Sequence, residues 1–209
     1  MNLTDILVNE HRIIEQVLHC LEKMLDRCQS QCKLESGPAQ DAVVFFRGFI
    51  ARCHCNKQET QLLPAMQDMG ISPEQCSNCS IFRRSKECFS HLDAMEAMIE
   101  SASDGDPVAL KVFTGHAQAY IGLLLAYIAK QEDCLFPIID QTLPEADKTR
   151  IRTAMQTAYG SGEDNCACNT YIDLANRLAD HFDVPRAVIV DVPNNRSGEK
   201  SWNGANYVG

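Results

Sequence analysis

Apolar residues recur along this chain at helical spacing. Near the N-terminus Ile6, Leu7, Ile13, Ile14, Val17, Leu18, Leu21, Met24 and Leu25 fall on one stripe. That stripe predicts a helix capped by Thr4 or Asp5 and running to about Cys32. The run Glu35-Ser36-Gly37-Pro38 breaks it. Val43, Val44, Phe46, Phe49, Ile50, His54, Leu62 and Met66 mark a second helix, from near Gln40 to Gly70. A third is predicted over residues 81–101. The turn Asp104-Gly105-Asp106-Pro107 caps a fourth, with Pro107 in its first turn. That helix reaches about Asp140, and Pro137 is expected to kink or end it. Residues 144–158 and 166–182 read as a fifth and a sixth helix, parted by Tyr159-Gly160-Ser161-Gly162. From Val184 the pattern changes. Residues 186–193 read as a strand-like or extended arm, and the Asn-, Gly- and Ser-rich remainder as flexible. Trp202 and Tyr207 leave two options for this tail, docking on the body or on a second subunit.

One stretch of the second helix returns in the fourth. His54-Cys55-Asn56-Lys57-Gln58-Glu59-Thr60-Gln61-Leu62-Leu63-Pro64 and Tyr127-Ile128-Ala129-Lys130-Gln131-Glu132-Asp133-Cys134-Leu135-Phe136-Pro137 share the form His/Tyr-x-x-Lys-Gln-Glu-x-x-Leu-Leu/Phe-Pro. A weaker echo links His11, followed by Glu15, to His91. The chain thus reads as two related helix pairs, and such internal similarity suggests a bundle with a shared central site. Residues four apart in a helix lie on nearly the same face. His54 with Gln58, Tyr127 with Gln131, and His11 with Glu15 therefore point alike. In an antiparallel bundle His11, His54, His91 and Tyr127 can meet at one level of the core.

Composition narrows the function. With 209 residues and 45% hydrophobic content, one sizeable core is expected. The net charge of −9 argues against nucleic-acid binding. The N-terminus lacks the basic and apolar regions of a signal peptide. The most apolar run, residues 121–129, is too short to cross a bilayer. A soluble, cytoplasmic protein is expected. No nucleophile motif, phosphate loop or dinucleotide fingerprint occurs, and whether the chain is an enzyme stays open.

The repeated motif resembles that of the hemerythrin-like (HHE) cation-binding family: a His on helix one, His-x-x-x-Glu before Leu-Phe-Pro on helix two, then both again. The resemblance covers roughly residues 1–140. It implies a two-iron centre held by histidines and two bridging carboxylates, with roles in oxygen binding, oxygen or nitric-oxide sensing, iron handling or repair of damaged iron centres. Under it His11, His54 and His91 stand at ligand positions and Tyr127 at the fourth His position. Gln58 and Gln131 replace both bridging carboxylates. Amides keep the shape and lose two negative charges, so an iron pair should bind much more weakly. Glu59 and Glu132 are expected off the inward face, in solvent. Three readings stay open. One non-haem iron, or a strained pair, persists on these histidines with Tyr127 and with Glu15 as carboxylate. Alternatively the His, Gln and Tyr side chains form a buried hydrogen-bond network. Or the chemistry has moved to the cysteines.

Eleven cysteines in a chain without an export signal are expected to be mostly free, metal-bound or redox-active, not a disulfide scaffold. Small buried core residues are the plain alternative. In the third reading, the alternative to the histidine site, Cys76, Cys79, Cys88 and Cys134 gather into a zinc, copper or iron–sulfur site or a dithiol switch. Cys53 and Cys55 are expected to pack between helices, Cys28 and Cys32 to lie near a helix end, and Cys166 and Cys168 to form an ordinary loop pair. His19 reads as surface, His116 as a satisfied core histidine, and His181 as a partner for a helix C-terminus.

The expected fold is all-α: an up-down four-helix bundle over 1–142, a helical extension over 143–183 and an extended or flexible tail over 184–209. The expected function is metal binding at a modified non-haem site, mono- or dinuclear, in redox, O2 or NO sensing or iron handling. The competing class is an iron-free bundle that uses its cysteines, or an interaction module. A homodimer through the tail fits either.

Overall fold

The computed structural model describes residues 2–70, 81–160 and 163–189, with side chains left out at 81–85, 157–160 and 163–167. The described residues are helical apart from short connections and the segment after Phe182, and none is in a strand. Six rods follow in order: α1 (Leu3–Gln31), α2 (36–68), α3 (Ile81–Ser103), α4 (Pro107–Thr142), α5 (Glu145–Gly160) and α6 (Glu163–Phe182). Each is within a few residues of its sequence expectation. Asn2 caps α1 in place of Thr4, and its backbone N–H donates to Asp5 Oδ2 at 2.5 Å. Thr4 Oγ1 donates instead to Asp140 (3.0 Å), tying the start of α1 to the end of α4. Cys32, at φ 51°, ends α1 in the left-handed conformation. As expected, Asp106 caps α4, accepting from the Val108 N–H at 2.8 Å with Pro107 in the first turn.

Contacts run α1 to α2, α2 to α3, α3 to α4 and α4 to α1, with α3 and α4 the most closely paired. α6 lies against α1 and α2, and α5 against α1, α6 and the end of α2. Two apolar clusters result. The larger is built on Phe45, Phe46, Phe49, Phe113 and Tyr120 with α1, α3 and α6. The smaller joins Leu3, Leu7, Leu62, Met66, Phe136, Ile139, Ile151 and Met155. Tyr127 packs against both. Around it, a layer of buried polar side chains separates the two.

The repeated motif has a backbone counterpart. In α2 the helix widens to π-type turns over Phe46–Cys55 and Gln58–Leu62, and in α4 over Gln131–Leu135. The Leu63 N–H reaches back to the Gln58 carbonyl, and the Phe136 N–H to the Gln131 carbonyl. Both are i→i+5 bonds, and each glutamine opens its turn. Pro64 and Pro137 follow directly. A proline has no N–H and its ring clashes with the carbonyl four residues back. A wide turn has already shifted the bonding pattern there, so α4 continues through Pro137 to Thr142 instead of kinking or ending.

One more expectation is corrected. Cys53 and Cys168 are joined in a disulfide that links α2 to α6, with their Cα atoms 5.9 Å apart; neither is a bystander. Residues 184–189 form no strand, and their backbone folds back on the body. The Ala187 N–H donates to Gln16 Oε1 (2.5 Å), and Arg186 pairs with Asp180. The tail from 190 lies outside the described residues. Finally, α4 as a whole is long and apolar enough to cross a membrane by length and composition, with a third of its most apolar window buried in the structure. Phe113, Ala117, Tyr120, Leu124 and Ile128 of this helix are core residues.

Gly48 shows how closely α6 approaches α2. A Cβ placed there would lie 2.0 Å from Tyr171 Cζ. We expect Gly48→Ala to lower the urea-unfolding free energy by about 1–3 kcal/mol. In a Tyr171→Ala background the same change should cost much less.

Candidate functional site

The buried polar layer is built by α1, α2 and α4. Gln58 and Gln131, both buried, face each other as a reciprocal amide pair. Gln58 Nε2 donates to Gln131 Oε1 (3.0 Å), and Gln131 Nε2 donates to Gln58 Oε1 (2.8 Å). Tyr127 Oη donates weakly to Gln58 Oε1 at 3.4 Å. Two fully buried imidazoles flank one edge of this pair, their ring centroids 4.9 Å apart. His54 Nε2 lies 3.0 Å from Gln58 Nε2 and His11 Nε2 lies 3.0 Å from Gln131 Oε1. His11 also stacks on Phe136 at 5.5 Å.

Each imidazole is held from behind by a carboxylate. His54 Nδ1 sits 2.9 Å from Glu10 Oε2, and His11 Nδ1 sits 2.8 Å from Glu132 Oε1. Each carboxylate has its own cation. Lys57 Nζ donates to Glu10, and Arg12 Nη2 donates to Glu132 at 2.5 Å. A carboxylate behind Nδ1 fixes the tautomer and leaves Nε2 to face the site, the arrangement that metal-binding histidines carry.

Burial pushes the Glu10 carboxyl up, but the His54 hydrogen bond and the Lys57 charge outweigh it and hold the group below its ordinary range. Glu132 follows the same logic, with His11 and Arg12 overcoming its burial. For His54, burial is the largest influence and lowers its pKa despite Glu10, so the neutral ring is favoured. Burial likewise lowers Lys57 against the pull of Glu10. It lifts the Tyr127 phenol well above its ordinary range, so this side chain is a phenol and not a phenolate.

Donors and acceptors do not balance if both rings are neutral. With Nδ1–H donated to a carboxylate, each Nε2 offers only a lone pair. His54 is then satisfied, because Gln58 Nε2 donates to it. His11 Nε2 faces Gln131 Oε1, acceptor against acceptor. Amide orientation is an assignment, but turning both amides over moves the same mismatch to His54, and turning one alone breaks the pair. With both carboxylates ionised, an added proton or cation beside one of the rings restores the balance.

Of the expected ligands, His11, His54, Tyr127, Gln58 and Gln131 come together. His91 does not join them. Its Nδ1 lies 2.8 Å from His116 Nδ1, because at this level α3 faces α4. Glu15 is a surface partner of Arg12 at 2.5 Å, so it supplies no inward carboxylate. Glu132, expected in solvent, is half-buried and faces His11 Nδ1 at 2.8 Å, whereas Glu59, at the same place in the other wide turn, is exposed as expected. Cys134 is exposed, not inward, since the wide turn opening at Gln131 rotates it away from the core. Cys88 is half-buried, and Cys76 and Cys79 lie outside the described residues. Among the described residues no three His, Cys, Asp or Glu side chains form a metal-holding group; the gathered set owes its remaining members to Gln and Tyr. Cys55 is half-buried, and its thiol is pushed up to about 12, first by desolvation and then by nearby acidic groups.

Four contributors escaped sequence reading: Glu10, Arg12, Lys57 and Glu132. Their signal was adjacency, since each sits next to a centre residue in Glu10-His11-Arg12, Lys57-Gln58 or Gln131-Glu132. No family model, curated protein or solved structure matches the chain.

Glu10→Gln removes the carboxylate that Lys57 and His54 share in the core and should cost about 3–5 kcal/mol in chemical denaturation. Adding Lys57→Met should recover much of it. Stability should also fall in acid. Glu10 and Glu132 are depressed in the fold, so their contribution is complete above the unfolded carboxyl range and is lost as pH drops through their folded values. His54, also depressed, takes up its proton more readily when unfolded, so its loss begins earlier, below about 6.5. Thermal unfolding followed from pH 8 to 4 should show both losses.

Proposed function

We propose that this chain is a hemerythrin-like bundle whose centre holds one cation between His11 and His54. In this reading α1 to α4 make an up-down four-helix bundle carrying α5 and α6, which is supported by the closed order of contacts from α1 through α4 back to α1. The observation that carries the cation is the unbalanced pair of acceptors, His11 Nε2 and Gln131 Oε1, 3.0 Å apart. A metal ion placed there would be held by His11 and His54 through Nε2 and by the amide oxygen of Gln131, with the Tyr127 phenol alongside; Gln58 would add its oxygen only by turning its amide over and giving up the reciprocal pair.

These donors are neutral, and two imidazoles with carbonyl oxygens suit a single divalent ion of intermediate softness, such as iron, zinc or copper. A bridged iron pair fits poorly, because amides occupy both bridging positions and Glu15 is bound to Arg12. When bound, a non-haem iron would supply a redox-active centre open to O2 or NO. The chain's own part is to fix both rings through Glu10 and Glu132, keep Tyr127 protonated and exclude water. Redox or diatomic-gas sensing, or iron handling, is the corresponding role.

The amide pair also favours a second reading. Its two reciprocal bonds satisfy both glutamines without a metal, in an iron-free bundle.

Metal content after anaerobic purification and dialysis separates the two. The first reading expects about one ion per chain, lost in His54→Ala and kept in His91→Ala. It also expects Gln58→Glu with Gln131→Glu to raise iron affinity at least ~10-fold. A folded protein that takes up no iron, zinc or copper contradicts it.

A further inference from the structure

The disulfide sits beside the centre. Cys53 immediately precedes His54 in the wide-turned part of α2, and its partner Cys168 lies on α6. The same face of α6 is held by Tyr171 against Gly48 and by Gln16 Nε2, which donates to the Ala175 carbonyl at 2.8 Å. A wide turn contains one residue more than an α-turn. If one relaxed to α-helix, every later side chain would swing by about 100° around the axis. His54 and Gln58 follow Cys53, so anchoring Cys53 to α6 fixes where both of them point.

We propose that opening and closing the Cys53–Cys168 bond is a redox control on the buried centre. Closed, it holds His54 and Gln58 against Glu10 and Gln131; opened, it lets α2 turn and disperses them. The exchange partner is an external dithiol, which attacks when α6 lifts locally, since Cys53 and Cys168 are both buried in the closed form. One of its thiolates attacks a sulfur of the bond, giving a mixed disulfide and releasing one protein thiolate, which takes a proton. The second thiol of the reductant then attacks the mixed disulfide and releases the other protein thiol. Two electrons pass to the protein, and the dithiol leaves as a cyclic disulfide. Oxidation by a disulfide compound runs the steps backward. Buried thiols of the chain are poor attackers: Cys20 is pushed up to about 12 by burial, and Cys28 to about 11 by burial and the Glu35 charge.

The inference takes from the functional reading only the membership of the centre, and its test is run without metal. The full chain is compared with the bond closed and after reduction by dithiothreitol, using amide hydrogen exchange and the nitrogen-bound proton signal of His54 Nδ1. Reduction should speed exchange across residues 46–62 by about 10-fold or more, leave 8–25 and 107–130 unchanged, and remove the His54 signal. Cys168→Ser should match the reduced protein whether or not reductant is present. If that variant does not fold, the wild-type comparison still decides. Unchanged exchange, a uniform rise over all helices, or a chain that fails to close the bond under a glutathione disulfide buffer would each overturn the proposal. Failure of metal binding would leave these readouts untouched.

Discussion

Two amides locked face to face, with an imidazole on each, leave one acceptor without a donor. This local imbalance organises the middle of the molecule. A buried acceptor facing another acceptor is costly, and burying the surrounding charges would cost more without partners. The chain answers with paired groups on both sides: Glu10 with Lys57 behind His54, and Glu132 with Arg12 behind His11. Nothing in that frame removes the imbalance between His11 and Gln131. In the proposed reading a positive charge fills that place, and apolar clusters lie above and below it.

The geometry depends on backbone that is not plain α-helix. Gln58 and Gln131 open matching wide turns closed by Leu63 and Phe136, each just ahead of a proline. π-type turns are uncommon and concentrate at functional sites. Here they aim two glutamines at each other from helices that also carry His54 and Tyr127 one turn earlier. The second proline becomes tolerable for the same reason, which is how α4 runs on to supply Phe136 beneath His11 and Asp140 for Thr4.

Helical spacing made most of the rods readable, because apolar stripes and Gly/Pro breaks act locally. The gathering of His11, His54, Gln58, Tyr127 and Gln131 was legible from the repeated motif. The rest was not, for reasons that lie in the turns and in long-range packing. An ideal-helix projection puts Cys134 inside, and one extra residue in the turn reverses it; it puts Glu132 outside, and the partners His11 and Arg12 on α1 hold it in. His91 sits at the right spacing on α3, yet facing His116 gives it a nearer partner. Glu10 and Lys57 read as surface charges until α1 and α2 are placed side by side. The bond between Cys53 and Cys168 spans 115 residues, and among eleven cysteines no spacing rule selects that pair.

The central claim is that a single positive charge belongs between His11 and His54. Nitrogen NMR of the histidine rings, in metal-free protein near neutral pH and then with zinc added, reads it directly. Without metal, one ring should carry protons on both nitrogens and the other on Nδ1 alone. One equivalent of zinc should strip the Nε2 proton and shift both Nε2 resonances together, with His91 and His116 unmoved. Two singly protonated rings that ignore zinc would contradict the account.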